Sequence, residues 1–282
     1  MNSEEIIVAL AVKYNGDWEN IMCALDVERR DEKYKEEGME AWIADLELEQ
    51  WLEVAKNSKY KYISILSKEY PEVLKQIYMP PFVLFYYGDI SLLSDSMKNV
   101  SVVGSRDCSE YGETMTRNIV REICDEYVIV SGMARGIDTV AHTTAIDYGG
   151  KTIAVLGGGI DFCYPPSNRG LYKQLKEEHL VISEYPGQVL PQPAFFPRRN
   201  RIIAAISRGT VVTEANAHSG TLTTVMFAMQ NNKDIMCVPY PAGVGSECNR
   251  LIASGVFLVE NGKDVKQVLK PTEQSEEYFP FS

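Results

Sequence analysis

Arg198, Arg199, Asn200 and Arg201 stand side by side in FPRRNRIIAAIS, and Arg208 follows directly after that stretch. Guanidinium groups present planar forks of N–H donors that match phosphate and carboxylate oxygens two at a time. The chain around them is acidic, with 282 residues and a formal net charge of −11. Arginines gathered against that background either neutralise a bound anion or pair with buried carboxylates. A second set of candidates is a series of small-residue turns. They are Gly104-Ser105-Arg106, SGMARGID over 131–138 (with Gly132, Ala134, Arg135 and Gly136), Gly157-Gly158-Gly159, Ser183-Glu184, and Thr213-Glu214 followed by Ser219-Gly220-Thr221. Small side chains let a ligand approach the backbone, and N–H groups at a helix start carry the partial positive charge that an anion needs.

Other chemistries find less support. Asp138 and His142 are four residues apart and read as a hydrogen-bonded pair orienting the ARGID turn, because no nucleophile stands nearby in sequence. Cys163 reads as a small hydrophobe. GGKT (149–152) imitates the end of a P-loop, but Ala145 stands where the first glycine belongs, and the segment joins a helix to a strand. GGGIDF (157–162) has Phe162 in place of the last glycine of the dinucleotide fingerprint. With no HExxH and no cysteine–histidine cluster, neither a metal nor a cofactor is expected.

The turns must be held by something, and the pattern around them says what. Short apolar, β-branched runs (VSVVGS, VIVSG, TIAVLGGG, LVISEYP, GTVVTEA, DIMCVPYP, VFLVEN) alternate with amphipathic stretches such as GETMTRNIVREICDEY and SGTLTTVMFAMQNN. Strand, turn, helix, strand predicts an α/β fold, a mostly parallel sheet with helices on both faces. Every candidate turn then falls at the carboxyl end of a strand, where such sheets bind ligands. The first 75 residues read as helical, with Trp42, Leu46, Trp51 and Val54 near helical spacing, and hold 10 Lys and Arg against 17 Asp and Glu, a net of −7. Residues 104–220 hold 12 against 13, close to neutral, so a positive crevice is compatible with the acidic total. No apolar run of transmembrane length and no signal-peptide pattern is present, so no membrane association is expected. The six scattered cysteines suit free thiols in a reducing cytoplasm.

Taken together, VVGSR, SGMARGID, TIAVLGGGIDFCYPPSN, SEYP, FPRRNRIIAAIS, TEANAHSGTLTT and NRLIASG resemble, in order and spacing, the DNA-processing protein A (DprA, or Smf) family. The resemblance implies an extended Rossmann-like domain over 70–262; the helical periodicity before it is read as a small N-terminal domain over 1–69, and 263–282 as a short C-terminal tail, too short for the winged helix that many relatives carry. The resemblance also implies a single-stranded-DNA-binding protein and not an enzyme. Such proteins protect incoming single strands and load a RecA-type recombinase in natural transformation and recombination, as homodimers. Carried over by position, the nucleic-acid-binding residues are Ser105, Arg106, Gly132, Ala134, Arg135, Gly136, Arg198, Arg199, Asn200, Arg201, Ser219, Gly220 and Asn249. Two positions depart from the family. His218 stands where a Lys or Arg usually precedes the Ser-Gly pair, which would weaken one phosphate contact or make it pH-dependent. Glu247 stands where a Gly is common, which puts that turn's geometry in question.

Two other readings compete. One is a Rossmann-like nucleotide phosphoribohydrolase or nucleotide-sensing module with Glu214 as general acid or base; the PGGxGT turn of those enzymes is replaced here by TEANAHSGT. The other is a scaffold indifferent to DNA, in which the arginines are internal ion-pair partners of Asp138 or Glu184.

Overall fold

The computed structural model describes residues 1–26, 32–217, 219–244 and 246–270. The expectation for His218 and most of that for the C-terminal tail lie outside the described residues.

Four helices open the chain: α1 (Ser3–Lys13), α2 (Trp18–Leu25), α3 (Glu32–Asp45) and α4 (Leu48–Lys56). A capping box starts α1, with the Asn2 side chain accepting from Glu5 N–H and the Glu5 carboxylate accepting from Asn2 N–H. The next segment, expected to be helical, is instead strand β1 (Lys61–Ser64). Four residues are too few to display a period; pairing with β2 (Val83–Gly88), Lys61 opposite Tyr86, decides their conformation. Helix α5 (Glu72–Lys75) lies between β1 and β2.

The rest alternates as the sequence predicts: β3 (Asn99–Gly104), α6 (Glu110–Ile123), β4 (Val128–Ser131), α7 (Ile137–Asp147), β5 (Thr152–Val155), α8 (Arg169–Glu178), β6 (Leu180–Ser183), α9 (Phe195–Ala205), β7 (Gly209–Glu214), α10 (Thr221–Gln230), β8 (Asp234–Cys237), α11 (Glu247–Ala253), β9 (Phe257–Leu258) and α12 (Gly262–Val268). The segment read as a tail therefore begins as a helix. Asn261 caps it by accepting from Lys263 and Asp264 N–H groups, and Val265 and Leu269 join a core shared with Val120 and Ile123 of α6.

The nine strands form one sheet in the order β1-β2-β6-β5-β4-β3-β7-β8-β9. β2 runs antiparallel to both β1 and β6, and the seven strands from β6 to β9 are parallel. From β3 the chain steps outward through β4 and β5 to β6, then returns to place β7 on the other side of β3. The strand order thus reverses between β3 and β7, and the helices leaving their carboxyl ends separate there.

Side chains alternate between two layers. Val103, Val130, Ile153, Val155 and Ile182 pack with α9 and α10, whereas Val102, Ile129, Ala154 and Val181 face the opposite layer. That second layer is divided: α6, α7 and α12 share a core with β3 and β4, and α1, α4 and α8 share one with β2, β5 and β6. The N-terminal helices are tied on further by Trp18, whose Nε1 donates to Pro80 O (3.0 Å) and whose ring stacks on Phe82.

Candidate nucleic-acid interface

A crevice of about 550 Å³ opens beyond the carboxyl end of β3, where the strand order reverses between β3 and β7. Its floor is the end of β3, Val103 to Arg106; one wall is the turn before α7 and the other the start of α10 with the face of α9. The α7 turn depends on glycine. Gly136 has φ +72°, and a Cβ there would collide with Ser105 O; a Cβ on Gly132 would collide with the Arg199 guanidinium. Ile137 N–H donates to Ser105 O (3.1 Å), tying the two turns together.

Besides α9, three helices begin at this edge, and they are finished differently. The start of α6 is closed from within: Ser109 Oγ accepts from Gly112 N–H, and Glu214 accepts from Ser109 N–H (2.9 Å) and Oγ–H (2.7 Å). Tyr240 O–H also donates to Glu214 (3.0 Å). Helices α7 and α10 have glycine N-caps, Gly136 and Gly220, with no side-chain cap, and both open on the crevice. Ser219 Oγ, beside the α10 start, is enclosed and has no partner among the described residues. Two N-termini without side-chain caps therefore face one space with the partial positive charge that an anion would need.

The arginines divide into two kinds. Arg106 is exposed in the crevice and Arg135 in a smaller hollow beside it; Arg135 is 62 % exposed, and its ion pair with Asp107 at 3.4 Å is solvated. Arg199 and Arg201 are 4 % and 1 % exposed. Arg199 lies beneath the α7 turn and donates to Gly132 O (2.6 Å) and Val155 O. Burial lowers its pKa to about 10, with the Asp138 charge opposing that shift, so it stays cationic at neutral pH. Each nitrogen of the Arg201 guanidinium is engaged: Nη2 to Glu184 (2.6 Å), Nε to Met79 O (2.9 Å) and Nη1 to Arg198 O (2.9 Å). Arg198 is half-buried, lies near Tyr185 and does not line the crevice.

Asn200 lines the crevice, and its Nδ2 donates to Gly220 O (3.1 Å). Asn249 lies elsewhere and brackets Tyr240, accepting from its N–H and donating to its O, both at 2.8 Å. Glu247, the other departure from the family pattern, begins α11 with its N–H bonded to Ala215 O (3.0 Å) and pairs with Arg250. Asp138 and His142 do not bond each other. Asp138 accepts from Gly132 and Ala134 N–H groups (3.2 Å each), and His142 Nδ1 pairs with Thr152 Oγ1 (2.6 Å). Burial raises the Asp138 pKa. Among the described residues no group of three or more His, Cys, Asp or Glu is placed to hold a metal.

Residues 61–270 match the family of DNA recombination-mediator protein A. The chain belongs to that family. It is 44 % identical over 209 residues to DNA processing protein DprA of Streptococcus pneumoniae, covering 73 % of each chain, and 41 % identical over 178 residues to DprA of Bacillus subtilis, covering 63 % of this chain and 60 % of the other. Among solved structures it is similar to the Streptococcus pneumoniae DprA (TM-score 0.79, 36 % identity, 94 % of this chain and 98 % of that one). It is also similar to DprA from Helicobacter pylori (TM-score 0.67, 26 % identity, 76 % of this chain and 97 % of that one), whose structure is described as giving insight into its single-stranded DNA binding mode. The fold is thus the Rossmann-like one of these proteins.

In this family member the motif reading missed two residues at the mouth. Tyr164 is 46 % exposed and lies 5.5 Å from Phe196, centroid to centroid, and the Arg106 guanidinium sits 5.1 Å above the Phe196 ring. All three also line the smaller hollow beside the crevice, under Gly157 and Gly158. Each aromatic precedes a proline, in Tyr164-Pro165 and Phe196-Pro197, and Phe196 opens the arginine motif; that adjacency was the available signal. Among the described residues no helix is long and apolar enough to cross a membrane.

Proposed function

We propose that this chain binds single-stranded DNA along the strand ends, where the strand order reverses between β3 and β7. The carrying observation is the meeting, in one crevice and the hollow beside it, of two uncapped helix starts, two exposed arginines and an aromatic pair. Phosphates would take the α7 and α10 N–H groups, the Ser219 hydroxyl, Arg106 and Arg135. Unpaired bases would stack on Tyr164 and Phe196, a sequence-tolerant contact that duplex DNA cannot offer without unpairing. Of the other sequence candidates, Ser105, Ala134, Arg199, Asn200 and Gly220 line the crevice, Gly132 and Gly136 shape the turn beside it, and Arg198, Arg201 and Asn249 lie away from it.

The family's description as a recombination mediator, and the Helicobacter pylori relative described as binding single-stranded DNA, support extending the reading. The protein would protect incoming strands and deliver them, as a cytoplasmic homodimer, to a RecA-type recombinase. It would act by binding and not by catalysis: Glu214, the candidate acid or base of the hydrolase reading, is occupied at the α6 start. Titration of labelled single-stranded and duplex oligonucleotides, beside a nucleoside-monophosphate hydrolysis assay, tests this. Equal or tighter duplex binding, or measurable hydrolysis, would overturn it. Sedimentation with and without oligonucleotide tests the dimer.

A further inference from the structure

We infer that Asn168, together with Thr139, is a positioning residue that sets the 132–136 turn to receive phosphate. The inference rests on the proposed single-strand binding at this crevice. Asn168 is the N-cap of α8, a place where Asn ordinarily accepts from its own helix's N–H groups. It makes no such bond. Its Nδ2 donates instead to Met133 O (3.0 Å) and to Thr139 Oγ1 (2.8 Å), residues 35 and 29 positions away. Thr139 Oγ–H passes the contact on to Ala134 O (2.6 Å). From below, Arg199 holds Gly132 O.

Three successive carbonyls, of Gly132, Met133 and Ala134, are therefore each committed to a donor inside the protein. A carbonyl so committed has part of its acceptor capacity satisfied inside the protein, which lessens its repulsion of a phosphate oxygen. Meanwhile the Asp138 carboxylate fixes the Gly132 and Ala134 N–H groups, and Met133 is held with φ +59°, in the left-handed region where an unbranched residue is tolerated only under constraint. The N–H groups of Arg135 and Gly136 have no partner among the described residues. The turn is thus a cradle with its acceptors tied back and donors left over, arranged before any ligand arrives. Asn168 and Thr139 touch no ligand; they act through the backbone they hold.

The test uses the full chain and single-stranded oligothymidine, with Kd and its salt dependence measured well below each variant's melting temperature. Asn168→Ala and Thr139→Val should each weaken binding about five- to tenfold, as expected for one lost buried hydrogen-bond relay. The salt slope should stay at the wild-type value, because no charge contact is removed. Thr139→Ser, which keeps the hydroxyl, should restore most of the affinity, and the double variant should be no weaker than the worse single one, since both belong to one relay. Wild-type-like affinity in both single variants, a changed salt slope, no rescue by Thr139→Ser, or additive losses would overturn the inference while leaving the binding site standing. If the wild-type chain itself binds no oligonucleotide, the reading of the crevice falls and this inference with it.

Discussion

Arg106 and Arg135 differ from Arg199 and Arg201 in what surrounds them, although all four belong to motifs that look alike in sequence. The first pair ends in solvent, with Arg106 resting on Phe196 and Arg135 facing an exposed Asp107. The second pair is buried and spends its donors on backbone carbonyls and on Glu184. A solvated cation can exchange a weak surface partner for phosphate at little cost. A buried one cannot leave without stranding the groups it satisfies. The internal ion-pair account holds for Arg201, which pairs with Glu184, whereas Arg199 is held by backbone carbonyls and Arg106 and Arg135 are left facing solvent. On the proposed function, charge for the ligand would come from the exposed pair, and the buried pair would serve the architecture.

The sharpest way to break this division is Arg201→Ala. It leaves the Glu184 carboxylate buried without its cation, so stability measured by urea unfolding should fall by about 3–5 kcal/mol. In whatever fraction stays folded, the salt dependence of DNA binding should be unchanged; a flatter slope would place Arg201 on the ligand. Arg106→Ala and Arg135→Ala should do the reverse. Each should cost about 1.5–3 kcal/mol of binding if it removes a charge-assisted hydrogen bond, and each should flatten the log–log salt plot by about 0.7. Their melting temperatures should stay near wild type, and a large drop in either would merge the two pairs into one structural class. Tyr164→Ala sharpens the picture from the uncharged side: a loss of about 1–3 kcal/mol in oligothymidine binding with no change in salt slope marks stacking without charge.

The smallest effect concerns acid. His142 is fully buried, and burial first, with the nearby Arg199 charge second, lowers its pKa from 6.5 to about 3. The unfolded chain takes up this proton below pH 6.5 and the folded chain does not until about pH 3. The contribution of neutral His142 is therefore intact above pH 6.5 and declines as pH falls, by at most about 1.4 kcal/mol per pH unit. His142→Asn should reduce the loss of stability between pH 7 and pH 5, measured by urea titration at each pH. An identical pH dependence would show that the imidazole is not held neutral beneath the arginine layer.

Much of this was legible beforehand. The alternation of β-branched runs with amphipathic segments specified the parallel strands, because strands covered on both faces must be apolar throughout and the helices covering them need only one apolar stripe. The glycines of SGMARGID marked a backbone that no side chain could follow, and they occur where the α7 turn crosses Ser105 and Arg199. Lys61–Ser64 was not legible, since its strand character comes from Val83–Gly88, about twenty residues further along. Nor was the Asn168 relay, because Asn168 at the start of α8 meets Thr139 and Met133 only in the folded chain, 29 and 35 positions away.

The sequence by itself determined which chemistry was available: guanidinium groups, bare helix starts and small residues at strand ends. These are local properties, fixed by residue type and the period of the chain. Only the tertiary structure decided which arginine meets solvent and which meets Glu184. Burial depends on what distant segments bring to the same place, and Arg198 to Arg201, consecutive on one helix, point into different surroundings because a turn of 3.6 residues sends neighbours to different faces.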